Sequence, residues 1–218
     1  MMVELRSASS PGVRILLATR NDAKLAELRR LVDGRGFEVV GLDDVPEFPE
    51  APETGATFEE NALAKARDAA AATGLVAVAD DSGLAVDALN GMPGVLSARW
   101  SGRRQKGSGS SARTERDAAN LALVLDQMAD VPEDRRGAAF VCAAAAAHPD
   151  GREVVVVERW PGTLIRLPRG TNGFGYDPAF VPEGESRTSA EMAPEEKDAV
   201  SHRSQALRAL LPRLSELG

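Results

Sequence analysis

Cysteine occurs once in the 218-residue chain, at Cys142, so no intrachain disulfide can form and a disulfide-stapled secreted scaffold is excluded. Histidine occurs only at His148 and His202, too few to build a metal cluster. Paired Cys-x-x-Cys, His-Glu-x-x-His and Gly-x-Ser-x-Gly motifs are missing, which leaves zinc and serine-hydrolase readings without support. Aromatic residues make up 4%, so there is no platform for stacking single-stranded bases. Basic residues are outnumbered, 26 against 33 acidic, for a formal net charge of -7, and that balance argues against a nucleic-acid partner. The longest small-or-apolar run, residues 138–147, falls well short of the roughly 20 residues that span a bilayer. Residues 1–12 are polar and carry no apolar signal-peptide core. The expectation is a cytoplasmic protein without membrane or nucleic-acid partners, for which a small anionic ligand held through a metal ion still fits.

The length suits one large domain or two lobes. We expect residues 1–12 to be a flexible N-terminal segment and 13–218 a single domain. Ile15-Leu16-Leu17-Ala18 reads as a buried strand feeding a helix with Leu25, Leu28, Leu31 and Val32 at helical spacing, capped by Asn21 or Asp22. Residues 37–41 form a second strand, and 42–55 a loop with three prolines, acidic residues that include Glu50 and Glu53, and no basic residue. Thr57 with Glu60 is a capping box opening a helix that stops at Gly74. Residues 75–79 are expected as a strand ending in Asp80-Asp81-Ser82-Gly83, after which residues 84–86 are extended again. Residues 102–113 read as a mobile loop before a helix carrying Leu121, Val124, Leu125 and Met128. Pro149-Asp150-Gly151 marks a hairpin between strands at 138–147 and 153–159. The last helix is expected over residues 198–214. Strands and helices mix without strict alternation, so the class is α/β or α+β around a mixed sheet.

Four places carry residue types suited to chemistry. Thr19-Arg20-Asn21-Asp22-Ala23-Lys24 lies at a strand-to-helix junction, where backbone N–H groups and a lysine one turn in bind phosphate; an ordinary capped helix also fits. Asp80-Asp81 suits Mg²⁺, a hard cation taking oxygen ligands, or a general base on water, although a turn closed by Asp and Gly has the same composition. Gly173-Phe174-Gly175-Tyr176-Asp177-Pro178 offers an aromatic face that the flanking glycines let a ligand approach, or simply a turn with a core aromatic. Lys197 and Ser201-His202-Arg203 place cations at a helix start, against the helix dipole, which a bound anion would explain and a charged face would not require.

These motifs, with Thr57-Phe58-Glu59-Glu60-Asn61-Ala62, Pro93-Gly94 and Ser97-Ala98-Arg99, stand in an order and spacing that resembles the inosine/xanthosine triphosphate pyrophosphatase family over about residues 13–214. Arg20 and Ala23 depart from it, standing where many members have glycine, and the 102–113 loop is long. The resemblance implies an elongated, mixed α/β fold of two lobes around a twisted mixed sheet, with the site between the lobes, usually as a homodimer. It implies Mg²⁺-dependent hydrolysis of ITP, dITP and XTP to the monophosphate and pyrophosphate. Thr19, Asn21 and Lys24 would hold the triphosphate, within a binding stretch that includes Arg20, Asp22 and Ala23. Asp81 would be the general base or metal-linked carboxylate, with Glu53 a second metal ligand and Ser82 beside the substrate. Phe174 would stack on the purine, Gly175, Tyr176 and Asp177 completing that wall, and Lys197, His202 and Arg203 would close the site. A nucleotide-binding protein without catalysis, or a pyrophosphatase with another base preference, are the competing readings.

Overall fold

A computed structural model describes residues 13–20, 22–49, 52–102, 110–214 and 217. Residues 1–12 and the middle of the 102–113 segment, with the expectations placed on them, lie outside that set, and α3 begins at Ser110, inside the expected loop. Six strands form one mixed sheet in the order β2-β1-β3-β4-β5-β6. β1 (Val13–Leu17) runs parallel to both β2 (Phe37–Val40) and β3 (Val76–Val86). β4 (Gly137–Ala147), β5 (Glu153–Leu164) and the short β6 (Phe180–Pro182) continue it as an antiparallel meander. The parallel pairs need crossovers, supplied by α1 (Asp22–Val32) and α2 (Phe58–Thr73). The expected hairpin forms at residues 149–151, with Gly151 at positive φ.

Alternation along β3 splits its neighbours between the two faces of the sheet. Val76 and Val78 pack with Leu28 and Val32 of α1 and with Leu207, Leu210 and Leu211 of α5 (His202–Leu214). Ala77 and Ala79 pack on the other face against Ala62, Ala66 and Ala69 of α2. Further along, Leu84 and Val86 join a third cluster with Phe140, Trp160, Phe180, Leu121 and Val124 of α3 (Ser110–Gln127), and Met128 just beyond it. The long central strands thus carry two bodies of core, one built on α1, α2 and α5 and one on α3 and β6, in keeping with the expected two lobes. Among the described residues no helix is long and apolar enough to cross a membrane.

Two expectations are corrected. Asp80-Asp81-Ser82-Gly83 is not a strand end: β3 runs through it without interruption, Asp80 to Gly83 pairing with Ala144 to Val141. The final helix is two helices, α4 (Pro194–Val200) and α5, parted at Ser201, whose ψ of 154° is extended. Its hydroxyl accepts the Ser204 N–H at 3.3 Å, satisfying a donor at the new helix start.

Candidate active site

The middle of β3 lies where the two bodies of core meet, and its two aspartates sit on opposite faces. Asp80 continues the Val76–Val78 face. Lys24 Nζ, one turn into α1, donates to Asp80 Oδ2 at 2.6 Å, and Arg203 Nε, at the start of α5, approaches the same oxygen at 3.3 Å. Arg203 Nη2 donates to Ser82 Oγ at 3.0 Å, two residues along the same face. Burial alone would raise the Asp80 pKa, but Lys24 and Arg203 outweigh it and hold the carboxylate well below the usual range. Lys24 is pushed the other way, its pKa lowered by burial and by Arg203 despite Asp80.

Asp81 continues the Ala77–Ala79 face toward α2. Asn61 Nδ2 donates to Asp81 Oδ2 at 3.0 Å and Lys65 Nζ to Oδ1 at 3.2 Å. Asn61 and Lys65 are four residues apart and so share one face of α2. Lys65 Nζ also meets Glu53 Oε1 at 2.5 Å, and Arg99 Nη1 meets Glu53 Oε2 at 2.9 Å. Asn61 Oδ1 accepts the Gly55 N–H at 2.8 Å, which pins the acidic segment beside the helix. Burial raises the Asp81 pKa, and Lys65 and Asn61 offset that only in part because Glu53 adds negative charge. Glu53 itself is lowered, Lys65 and Arg99 overcoming its desolvation. Asn61, Lys65 and Arg99 went unassigned in the sequence. The signal for the first two was there: polar residues spaced i, i+4 on a helix face otherwise lined by alanine.

A cavity of about 570 Å³ opens on the Asp80 face, reaching from Lys24 and Ser82 to the Phe174 loop. Phe174 is 44% exposed, and Arg113, Lys197 and Arg203 lie 5.1, 5.4 and 5.8 Å from its ring centroid. Cations on an aromatic face are favourable in themselves and also gather positive charge around a flat apolar surface. Asp177 is buried and spends its carboxylate inward: Lys197 Nζ lies at 2.5 Å, the Phe174 N–H at 2.8 Å and Ser189 Oγ at 2.7 Å. Gly173 makes this possible, because it has φ of +75° and a Cβ there would stand 2.1 Å from Asp177 Oδ2. Tyr176 is buried, its hydroxyl donating to Ser97 O at 2.8 Å, and burial raises its pKa. His202 stacks on Phe140 with ring centroids 5.0 Å apart, and burial with the Arg203 and Lys197 charges pushes its pKa well down. Among the described residues its Nδ1 has no hydrogen-bond partner, and its ring lines the cavity.

Lys24, Ser82, Phe174, Gly175, Tyr176, Asp177, Lys197, His202 and Arg203 are therefore gathered around one cavity. Arg20 instead lines a separate surface depression with Asp43, Glu47 and Phe48. Thr19 is half-buried at the end of β1; Asp22 and Ala23 open α1, and Asn21 lies outside the described residues.

The sequence profile described as the Ham1 family matches residues 15–213, nearly the whole chain. The chain belongs to the Ham1 family. The match encloses both aspartates, their lysines and the cavity wall. Among Ham1-type relatives, a dITP/XTP pyrophosphatase of Nocardia farcinica is 62% identical over 207 residues, 94% of this chain and 96% of that protein. One from Mycobacteroides abscessus is 60% identical over 208 residues, again 94% and 96% of the two chains. The crystal structure of a nucleoside-triphosphatase / dITP/XTP pyrophosphatase from Mycobacterium abscessus superposes with a TM-score of 0.74 at 62% identity, covering 92% of this chain and all of that one. A HAM1 protein structure from Coxiella burnetii gives 0.81 at 40% identity, covering 94% and 99%.

The donor set of this Ham1 chain fits a magnesium ion. Glu53 and Asp81 present carboxylate oxygens to a single ammonium, that of Lys65, so both reach one cationic position. Among the described residues no cluster of three or more acidic, His or Cys side chains forms a metal cage. Mg²⁺ does not need one, since it is held by one or two carboxylates together with water and substrate phosphates.

Proposed function

We propose that this chain hydrolyses the triphosphates of deaminated purines, dITP, ITP and XTP, to the nucleoside monophosphate and pyrophosphate, keeping them out of DNA and RNA. It would act with Mg²⁺, in the cytoplasm, as a homodimer of one catalytic unit over residues 13–218. The observation that carries this reading is the placing of Asp81, with Glu53 and Lys65, one strand-thickness from a cavity whose wall holds Lys24, Arg203 and an exposed Phe174. Relatives spanning almost all of the chain bear the name dITP/XTP pyrophosphatase, which agrees with it.

Phosphoryl transfer is driven mainly by positioning and by stabilising charge, and the division of labour follows. Thr19, Asn21 and Lys24, with the backbone of Arg20, Asp22 and Ala23 at the start of α1, hold the triphosphate beside Ser82. Phe174 stacks on the purine, and Gly175, Tyr176 and Asp177 fix that wall. Lys197, His202 and Arg203 close over base and phosphates. Asp81 orients and deprotonates the attacking water. Glu53 and Asp81 would hold Mg²⁺, which when bound neutralises charge on the phosphates. Adenine presents a donor at C6 where inosine and xanthosine present an oxygen. Arg203 has only donors, so it favours the oxygen.

The test is incubation with Mg²⁺ and a panel of ITP, XTP, GTP, ATP and TTP, with pyrophosphate and orthophosphate assayed separately. Pyrophosphate release from ITP and XTP is expected. Orthophosphate as the product, or no turnover, overturns the reading.

A further inference from the structure

Each carboxylate of the Glu53–Asp81 pair is held by one oxygen and offers the other. Asn61 Nδ2 donates to Asp81 Oδ2 at 3.0 Å, and Arg99 Nη1 donates to Glu53 Oε2 at 2.9 Å. The remaining oxygens, Asp81 Oδ1 and Glu53 Oε1, both meet the Lys65 ammonium. Two like charges on separate segments repel, so convergence on one point needs groups that turn them there. We propose that Asn61 and Arg99 are positioning residues that aim Asp81 and Glu53 at a shared Mg²⁺. The inference rests on the reading given under Proposed function and deepens it.

The connections of the two residues support this. Asn61 is buried on α2 and uses both ends of its amide, Nδ2 toward Asp81 and Oδ1 as acceptor of the Gly55 N–H at 2.8 Å. One side chain therefore ties β3, which carries Asp81, to the segment that carries Glu53 two residues before Gly55. Arg99 reaches Glu53 twice, because its Nη2 also donates to the Glu53 main-chain oxygen at 3.4 Å. It fixes backbone and side chain together. Arg99 ends the 3-10 helix Gly94–Arg99, which Ser97 fastens to β3 by accepting the Leu84 N–H on Oγ at 2.9 Å. Both holders thus refer the carboxylates to one rigid strand. A carboxylate bonded through one oxygen has lost its rotational freedom before a cation arrives, and groups that orient metal-binding carboxylates raise affinity in this way.

Charge and geometry predict different outcomes, which makes the test decisive. Arg99 is a cation, so by charge alone its removal should tighten the binding of another cation beside Glu53. Asn61 is neutral, so by charge alone its removal should change nothing. If the two residues aim the carboxylates, both removals weaken binding, by about 10-fold or more. The experiment titrates Mn²⁺, standing in for Mg²⁺, into nucleotide-free wild-type protein, Asn61→Ala and Arg99→Ala, and follows the free ion by electron paramagnetic resonance. Asp81→Asn identifies the ion bound at this pair, since binding there should be lost. The Arg99 side chain is 43% exposed, so Arg99→Ala decides the matter should Asn61→Ala fail to fold. With ITP, the Mg²⁺ concentration for half-maximal rate should rise in both variants while KM for the nucleotide holds. Unchanged or tighter Mn²⁺ binding in either variant, or wild-type binding that survives Asp81→Asn, overturns the inference. Wild-type protein that releases pyrophosphate from neither ITP nor XTP overturns the function proposed above, while the Mn²⁺ affinities still decide the role of Asn61 and Arg99.

Discussion

Asp80 and Asp81 are adjacent in sequence yet belong to different ionic networks, one with Lys24 and Arg203 on the α1–α5 face of β3, the other with Lys65 and Glu53 on the α2 face. Strand alternation alone produces the separation. It gives two like residues opposite electrostatic characters: Asp80 is a stable ion locked by two cations, Asp81 an ion held against its burial.

Replacing each by asparagine therefore has opposite effects on stability. Asp80→Asn removes the carboxylate that Lys24 and Arg203 share and should destabilise the fold by about 3 kcal/mol or more. Asp81→Asn removes a charge that burial disfavours, so its melting temperature should hold or rise while kcat falls by roughly 10²–10⁴. Thermal denaturation and turnover on the same two preparations check this; an Asp81→Asn protein with a lowered melting temperature and normal turnover would contradict both expectations for it.

The pH dependence has a definite sign. The folded-state pKa of Asp80 is depressed, so its contribution to stability is present above the unfolded carboxylate value of about 3.9 and is lost as pH falls from there through the folded value. Asp81 is raised, so its carboxylate opposes folding once pH exceeds the unfolded value. Turnover should fall on the acid side as the Asp81 carboxylate is protonated, and Asp81→Asn should abolish that limb. A pH–rate profile of kcat/KM alongside acid denaturation reads both.

Lys65 holds two carboxylates at once. Lys65→Ala leaves Glu53 with Arg99 and Asp81 with Asn61, and we expect kcat to drop about 100-fold or more because positioning at the reacting centre is lost. Chelation of divalent ions should abolish activity in the wild type, and Glu53→Gln should raise the Mg²⁺ concentration needed for half-maximal rate. An unchanged Mg²⁺ titration would remove Glu53 from the metal site.

Gly173→Ala tests the aromatic wall. The added methyl collides with the Asp177 carboxylate and requires a positive φ that alanine resists, so the Phe174 loop must shift. A displacement of about 1 Å is enough for roughly a 10²-fold loss in kcat/KM. The loss should appear for every purine, unlike that of Arg203→Ala, which should narrow the ITP/ATP ratio. Side-by-side kinetics of the two variants separates a displaced stacking surface from a lost base contact.

Much of this was legible in the sequence. Periodicity gave α1, periodicity and capping gave α2, with the Thr57 hydroxyl accepting the Glu60 N–H as expected, and the turn residues gave the β4–β5 hairpin. What misled was Asp80-Asp81-Ser82-Gly83, whose composition is that of a turn. Gly83 is there for another reason: a Cβ would stand 2.3 Å from Ser97 Oγ and 2.6 Å from Gly94 O, a close approach between distant segments that no local pattern records. The break at Ser201 was hidden because the apolar stripe of α5 runs on smoothly from Val200. Lys65 and Asn61 were hidden by standing far along the chain from the Thr19–Lys24 stretch, becoming part of the site only when α2 packs on β3.

Five consecutive alanines, Ala143 to Ala147, form the half of β4 that runs beside the aspartates, each 0–2% exposed. With methyl groups on both faces, helices on either side settle close to the backbone, and the separation of the two ionic networks is set by little more than the strand itself. A larger side chain at Ala143 or Ala144 would have to lift a helix, and with it Lys65 or Arg203, at a packing cost of about 1–3 kcal/mol before any chemistry is considered. The least distinctive stretch of the sequence is thus a spacer of fixed gauge between the charged residues it separates.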